Sequence, residues 1–217
     1  MIRASKSGPA FFLSAMLTFA ASTAAFAQQP GVTDTEIRFG NIMPYSGPAS
    51  ALSVTGKVFA AYFDMINEKG GVNGRKLNMI SLDDGFSPPK TVEQTRRLVE
   101  QDEVLMIFGS LGTPTNSAVQ RYLNGKKVPH LFITTGATKW ADPKNFPWTM
   151  AGMASYHSEG IIYAKHVLRT KPDAKIAILS QNDDFGRDYV AGFKRALGSK
   201  AATMIVSEAT YEHTSPT

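Results

Sequence analysis

The 217-residue sequence predicts an α/β fold of open, mostly parallel sheets with helices on both faces. Three observations carry this. Strand-like and helix-like segments alternate with short loops, which is the pattern of a parallel sheet. The run "EVLMIFG" is short and almost purely apolar, as expected of a strand covered on both faces. Three small-residue loops, "PYSGPAS", "GSLGTPTNS" and "TTGATKW", fall at the carboxyl ends of predicted strands, where open α/β sheets bind ligands.

The first 27 residues are read as an export signal rather than as fold. Arg3 and Lys6 precede the apolar run "FFLSAMLTFAA", and Ala25 and Ala27 give the A-x-A form of a signal-peptidase site. The run is too short to span a bilayer, which takes about 20 apolar residues. A mature chain starting near Gln28 in the periplasm is expected. Its formal charge falls from +5 to +3 with the loss of Arg3 and Lys6, and no basic cluster exceeds a pair, so nucleic acid is not an expected partner. The absence of cysteine removes disulfides, zinc–thiolate sites and cysteine nucleophiles.

The elements follow in order. "EIRFGNI" alternates and reads as a strand. The stretch from Ala51 to Gly71 reads as a helix whose apolar face is Val58, Ala61, Tyr62, Met65 and Ile66, stopped by Gly70 and Gly71. "RKLNMISLDD" is the second strand, and "SPPKTVEQTRRLVEQD" a helix capped by Ser87 with proline in its first turn. After "EVLMIFG" comes the helix "TPTNSAVQRYLNGKK" with Thr113 at its N-cap, then the strand "VPHLFIT". "GATKWADPKNFPWTMA" has two prolines and no period, and is read as a crossing between lobes. A second series follows: helix "YHSEGIIYAKHVLRT", strand "AKIAILS", helix "DDFGRDYVAGFKRALG" capped by Asp183 or Asp184, strand "AATMIVSEA". The expected domains are residues 1–27 (signal), 28–147 (first lobe) and 148–217 (partial second lobe). Two strands fall short of a sheet of usual size.

Catalytic constellations are few. The sequence has no G-x-S-x-G elbow, P-loop or G-x-G-x-x-G fingerprint. His130, His157, His166 and His213 are scattered, and His130 sits in an apolar strand, where packing is the expected role. Asp83 and Asp84 could serve an exported α/β hydrolase, but the simpler reading is a strand-ending turn. "NDDFGRD" lacks the acid spacing of a calcium loop. No cofactor is expected. The three loops instead offer hydroxyls and a helix N-terminus, which suit an anion such as a carboxylate.

In order along the chain, "NIMPYSGPAS", "INEKGGVNGRKL", "MIFGSLGTPTNSAVQ", "VPHLFITTGAT" and "ILSQNDDFGRD" resemble the periplasmic solute-binding proteins of the branched-chain amino acid ABC import type, with the type I periplasmic-binding-protein fold. The resemblance runs from about Thr33 to the last residue. It implies a two-lobed Venus-flytrap binder, a monomer that delivers a small carboxylate-bearing solute to ABC permease subunits in the inner membrane. That solute would be a branched-chain or other amino acid, or an aromatic acid. By position it assigns the carboxylate to Thr113, Gly136, Ala137 and Thr138, a side wall to Ser46, Ser50 and Leu52, and contacts from the second lobe to Phe185 and Tyr156. A ligand-sensing regulator on the same fold is the alternative. The chain is shorter than the family, so an incomplete second lobe, the lack of an acid to pair with a ligand ammonium, and weak or no ligand binding are also expected.

Overall fold

The computed structural model of the chain describes residues 29–212 and residue 214, so the expected export signal and His213 lie outside the described residues. Among those residues the strands form two sheets. The first holds β1 (Glu36–Met43), β2 (Lys76–Asp83), β3 (Ile107–Phe108), β4 (His130–Ile133) and β5 (Thr149–Ala151) in the order β2-β1-β3-β4-β5, parallel throughout. The second pairs β6 (Ile176–Gln181) in parallel with β7 (Ile205–Tyr211).

The crossovers are α1 (Val54–Glu68), α2 (Pro88–Glu100) and α3 (Thr113–Lys126) in the first unit, and α5 (Asp184–Leu197) in the second. Helix α4 (Tyr156–Thr170) joins the units, and the one-turn helix α6 (Ala201–Met204) leads into β7. The chain steps from β1 to β2, then back across β1 to β3 and onward to β4. Right-handed connections therefore put α1 on one face and α2 with α3 on the other. The α2–α3 side holds an aliphatic core of Ile42, Leu98, Ile107, Val119 and Leu123. The α1 side is aromatic: Phe39 meets Phe63 edge-on at 4.9 Å, and Phe108 meets Phe59 and Phe63. In the second unit α4 and α5 approach closely because Gly160 and Gly192 face each other's helix. A Cβ on Gly192 would stand 2.0 Å from the His157 carbonyl oxygen, and one on Gly160 2.4 Å from that of Tyr189.

Three expectations change. Helix α1 does not bury Val58, Tyr62 and Met65, which are exposed (59% and 56% for the first two); it turns Phe59 and Phe63 to the sheet instead. The segment read as an irregular crossing contains the 3-10 turn Thr138–Trp140 and strand β5, which pairs with β4 in the first sheet, so that sheet extends past residue 147. Proline-rich flanks hid a strand only three residues long. Residues 201–204 are helical, and the last strand starts at Ile205.

Candidate functional site

Sheet order alone marks a place for the site. Chain direction across the sheet reverses between β1 and β3, and in parallel sheets a crevice opens there, outside the carboxyl ends of the strands. A cavity of about 270 Å³ lies at that point. From the loop after β1 and the start of α1 come Leu52 and Thr55; from the loop after β3 and the start of α3, Leu111, Gly112 and Thr113; from the loop after β2, Phe86; and from the end of β4, Thr134. The second unit closes the other side with Met153, Tyr156, Gln181 and Phe185. None of these side chains carries a charge.

Thr113 is 4% exposed and opens α3, but the N-cap is Gly112 rather than Thr113. Gly112 holds φ 104°, a conformation that side chains rarely adopt, and a Cβ there would lie 2.5 Å from Thr115 Oγ1 and 2.6 Å from the Phe86 ring. Glycine thus lets the strand turn tightly into the helix and leaves Thr113 in the first turn. The Thr113 hydroxyl lies 2.6 Å from that of Thr135, which in turn accepts the Ala137 N–H at 3.4 Å. With Thr135 donating to Thr113, the Thr113 hydroxyl proton remains available to a ligand. The positive end of the α3 dipole lies beside it. Thr134 donates its own hydroxyl to Gly109 O at 2.8 Å and so presents lone pairs to the cavity. The site can thus offer one hydroxyl donor at a helix N-terminus and an apolar surface on the opposite wall.

That wall is aromatic. Tyr156 meets Phe185 edge-on at 5.0 Å and stacks on Tyr189 at 4.9 Å. Phe185 sits in the first turn of α5 because Asp183 caps that helix, its Oδ1 accepting the N–H groups of Phe185 and Gly186 at 2.9 and 3.2 Å. Ser155 caps α4 in the same way, its hydroxyl accepting the Ser158 N–H, and so places Tyr156 at the cavity.

Of the nine residues expected from the sequence, Thr113, Leu52, Tyr156 and Phe185 line the cavity, and five do not. The Ser46 hydroxyl and N–H both donate to Asp83, at 2.6 and 3.0 Å. Ser50 begins a short 3-10 turn ahead of α1. The Gly136 carbonyl accepts the Tyr156 N–H, and the Ala137 N–H points to Thr135. Thr138 is taken up entirely: its N–H donates to Asp188 Oδ2 at 2.6 Å and its hydroxyl reaches both carboxylate oxygens at 2.9 and 3.1 Å. These groups position their loops.

The sequence of residues 36–217 matches the family model described as periplasmic binding protein. The chain belongs to the periplasmic binding protein family. It is 26% identical over 176 residues to the Leu/Ile/Val-binding protein BraC3 of Rhizobium johnstonii, covering 80% of this chain and 47% of that one. Among solved structures it resembles a possible leucine/isoleucine/valine-binding protein from Rhodopirellula baltica (TM-score 0.71, 26% identity, 87% of this chain and 50% of that one). It also resembles a substrate-binding periplasmic protein from Ralstonia solanacearum (TM-score 0.70, 26% identity, 83% and 50%). The chain spans about half the length of the relatives it matches. The fold is that of the type I periplasmic binding proteins, as the loops and their order imply.

Within this family member the neighbouring acids have structural partners. Burial opposes ionisation of Asp83, but hydrogen bonds from the Ser46 hydroxyl, the Gly85 N–H, Lys90 and the Ser46 N–H outweigh it and hold the carboxyl well below its ordinary range. Burial raises Asp84, which accepts from the Thr91 hydroxyl at 2.7 Å and the Phe86 N–H at 2.9 Å. The second contact orients Phe86 toward the cavity. His130 is fully buried, 2.9 Å from Asn116 Oδ1, and burial pushes its pKa down to about 3. It is a packed, neutral residue.

Thr55, Phe86, Leu111, Gly112, Thr134, Met153 and Gln181 line the cavity as well and were not expected there from the sequence. Phe86 holds φ 62° directly after the "DDG" turn, and that turn chemistry was the available signal. Gln181 and Met153 come from segments distant in sequence, and only the packing of the two units brings them in.

Proposed function

We propose that the chain is the substrate-binding component of an ABC importer, capturing a small carboxylate-bearing solute in the periplasm. The observation that carries this reading is the uncharged cavity at the β1/β3 reversal, with Thr113 and the α3 N-terminus at one end and Phe86, Tyr156 and Phe185 on the walls. A carboxylate would accept from the Thr113 hydroxyl, favoured by the helix dipole. The apolar part would fill the aromatic side, where aromatic contacts add about 0.5–1.5 kcal/mol beyond area burial. The Leu/Ile/Val-binding names of the relatives support an amino acid, and the aromatic walls equally suit an aromatic acid. The lobes, the permease partners in the inner membrane, the monomeric state and a purely binding, non-catalytic role belong to the same proposal.

Calorimetric titration with leucine, isoleucine, valine and benzoate tests it. At least one should bind with a measurable heat. Thr113→Val should weaken that binding roughly tenfold or more, because a hydrogen bond to a charged group contributes about 1.5–3 kcal/mol. Equal affinity of Thr113→Val and the parent chain would place the carboxylate elsewhere. Failure of the whole panel to bind would count against the reading for this chain.

A further inference from the structure

The two sheet units are joined by more than the covalent chain. In the first unit, the turn Thr138–Trp140 follows β4. In the second, Asp184 and Asp188 stand one helical turn apart on the same face of α5, on either side of Phe185 in the chain. Asp188 receives the N–H and hydroxyl of Thr138, as above. Asp184 receives Lys139 Nζ at 3.1 Å, and the same ammonium donates to Ser117 Oγ on α3 at 3.0 Å. Arg187 pairs with the other oxygen of Asp184 at 2.7 Å, and its hydrogen bond, with that from Lys139, holds the carboxyl below its ordinary range against the effect of burial. Two carboxylates from one helix turn thus grip two consecutive residues of the other unit. An apolar cluster of Ile133, Ala137, Trp140 and Tyr156, with Phe185 and Tyr189 against it, lies beside the grip.

We propose that Asp184 and Asp188 are positioning residues that, with Thr138 and Lys139, form a clasp between the two units. The clasp fixes their angle, and with it the separation of Phe185 from Thr113 across the cavity. A single exposed ion pair holds little, typically about 0–1 kcal/mol. Here the contacts are paired, however: Asp188 accepts both an N–H and a hydroxyl from one residue, and Lys139 is held at two points. The paired geometry limits rotation as well as separation. The clasp needs no ligand, so its test is independent of the proposed function.

The chain has no cysteine, so two introduced cysteines carry spin labels without background. Arg121→Cys on α3 and Lys165→Cys on α4 are both exposed and report the distance between units. Arg121→Cys with Glu68→Cys on α1 reports the interior of the first unit. In the double variant Asp184→Ala, Asp188→Ala, the inter-unit distribution should broaden and shift by more than about 2 Å while the intra-unit distance stays fixed. An unchanged inter-unit distribution overturns the clasp. If that variant unfolds, Asp188→Ala with Lys139→Ala, which also removes every contact of the clasp, is read in the same way: a shift supports the clasp and no shift overturns it.

Discussion

At the residue scale, buried neutral His130 couples stability to pH. Its pKa is about 3 in the folded chain against an ordinary 6.5. Between those values the unfolded chain binds a proton that the folded chain does not, so stability falls as pH drops below 6.5 and is flat above it. The expected loss between pH 7 and pH 5 is about 2 kcal/mol, from roughly 1.4 kcal/mol per pH unit. Urea midpoints at the two pH values check this, and His130→Gln should abolish most of the difference. Gly112 is the second sensitive position. Gly112→Ala forces a side chain into φ 104° and against Phe86 and Thr115. Strain of this kind costs on the order of 1–3 kcal/mol, and a thermal melt should show a midpoint lowered by several degrees. The glycine was visible in "GSLGTPTNS", but its φ and the ring it accommodates were not, so Thr113 was read as the cap in its place.

At the scale of elements, α5 and α1 teach opposite lessons. The start of α5 was legible because Asp before an amphipathic run is a local signal: Asp183 accepts two first-turn N–H groups from residues two and three positions on. Asp183→Ala should cost about 1 kcal/mol in a urea melt, and because the cap also sets the first turn, it should weaken ligand binding through Phe185. Helix α1 carries two apolar stripes. Val58, Ala61, Tyr62 and Met65 have helical spacing, and so do Phe59, Phe63 and Ile66. Period alone does not rank them. The aromatic stripe turns inward because Phe39 and Phe108 on the sheet give Phe59 and Phe63 edge-on partners. That is a contact between residues up to about fifty positions apart.

For the whole molecule, the two units differ in how well they are covered. Strand β1 is central, flanked by β2 and β3, with Phe39, Ile42 and Met43 fully buried. Among the described residues strand β7 pairs with β6 alone; Val206 on β7 is 61% exposed, and Leu179 on β6 is 70% exposed. A two-stranded sheet is marginal in water, and regions with few buried contacts open at low free energy. Amides of Val206–Tyr211 should therefore exchange on the order of a hundredfold or more faster than those of Asn41–Met43, as hydrogen-exchange mass spectrometry would show. Equal protection would mean that the second unit is held as firmly as the first, by the clasp and the Tyr156–Phe185–Tyr189 cluster.

The sequence by itself determined the alternation of strands and helices, the parallel class of the sheet and the loops at its carboxyl edge. Those follow from short-range rules: periodicity, turn residues, caps and apolar runs. The family resemblance, carried onto the sequence by position, placed Thr113, Leu52, Tyr156 and Phe185 at the cavity, and all four line it. Only the tertiary structure decided which face of α1 is buried, that β5 completes the first sheet, and that Thr138 holds Asp188 and stands clear of the cavity. The physical reason is the same in each case: the deciding partner lies outside the local sequence, an aromatic ring for α1, a neighbouring strand for β5 and a carboxylate for Thr138. A hydroxyl or an N–H goes to the nearest good acceptor in space, and fifty residues of chain separate Thr138 from the carboxylate that reaches it.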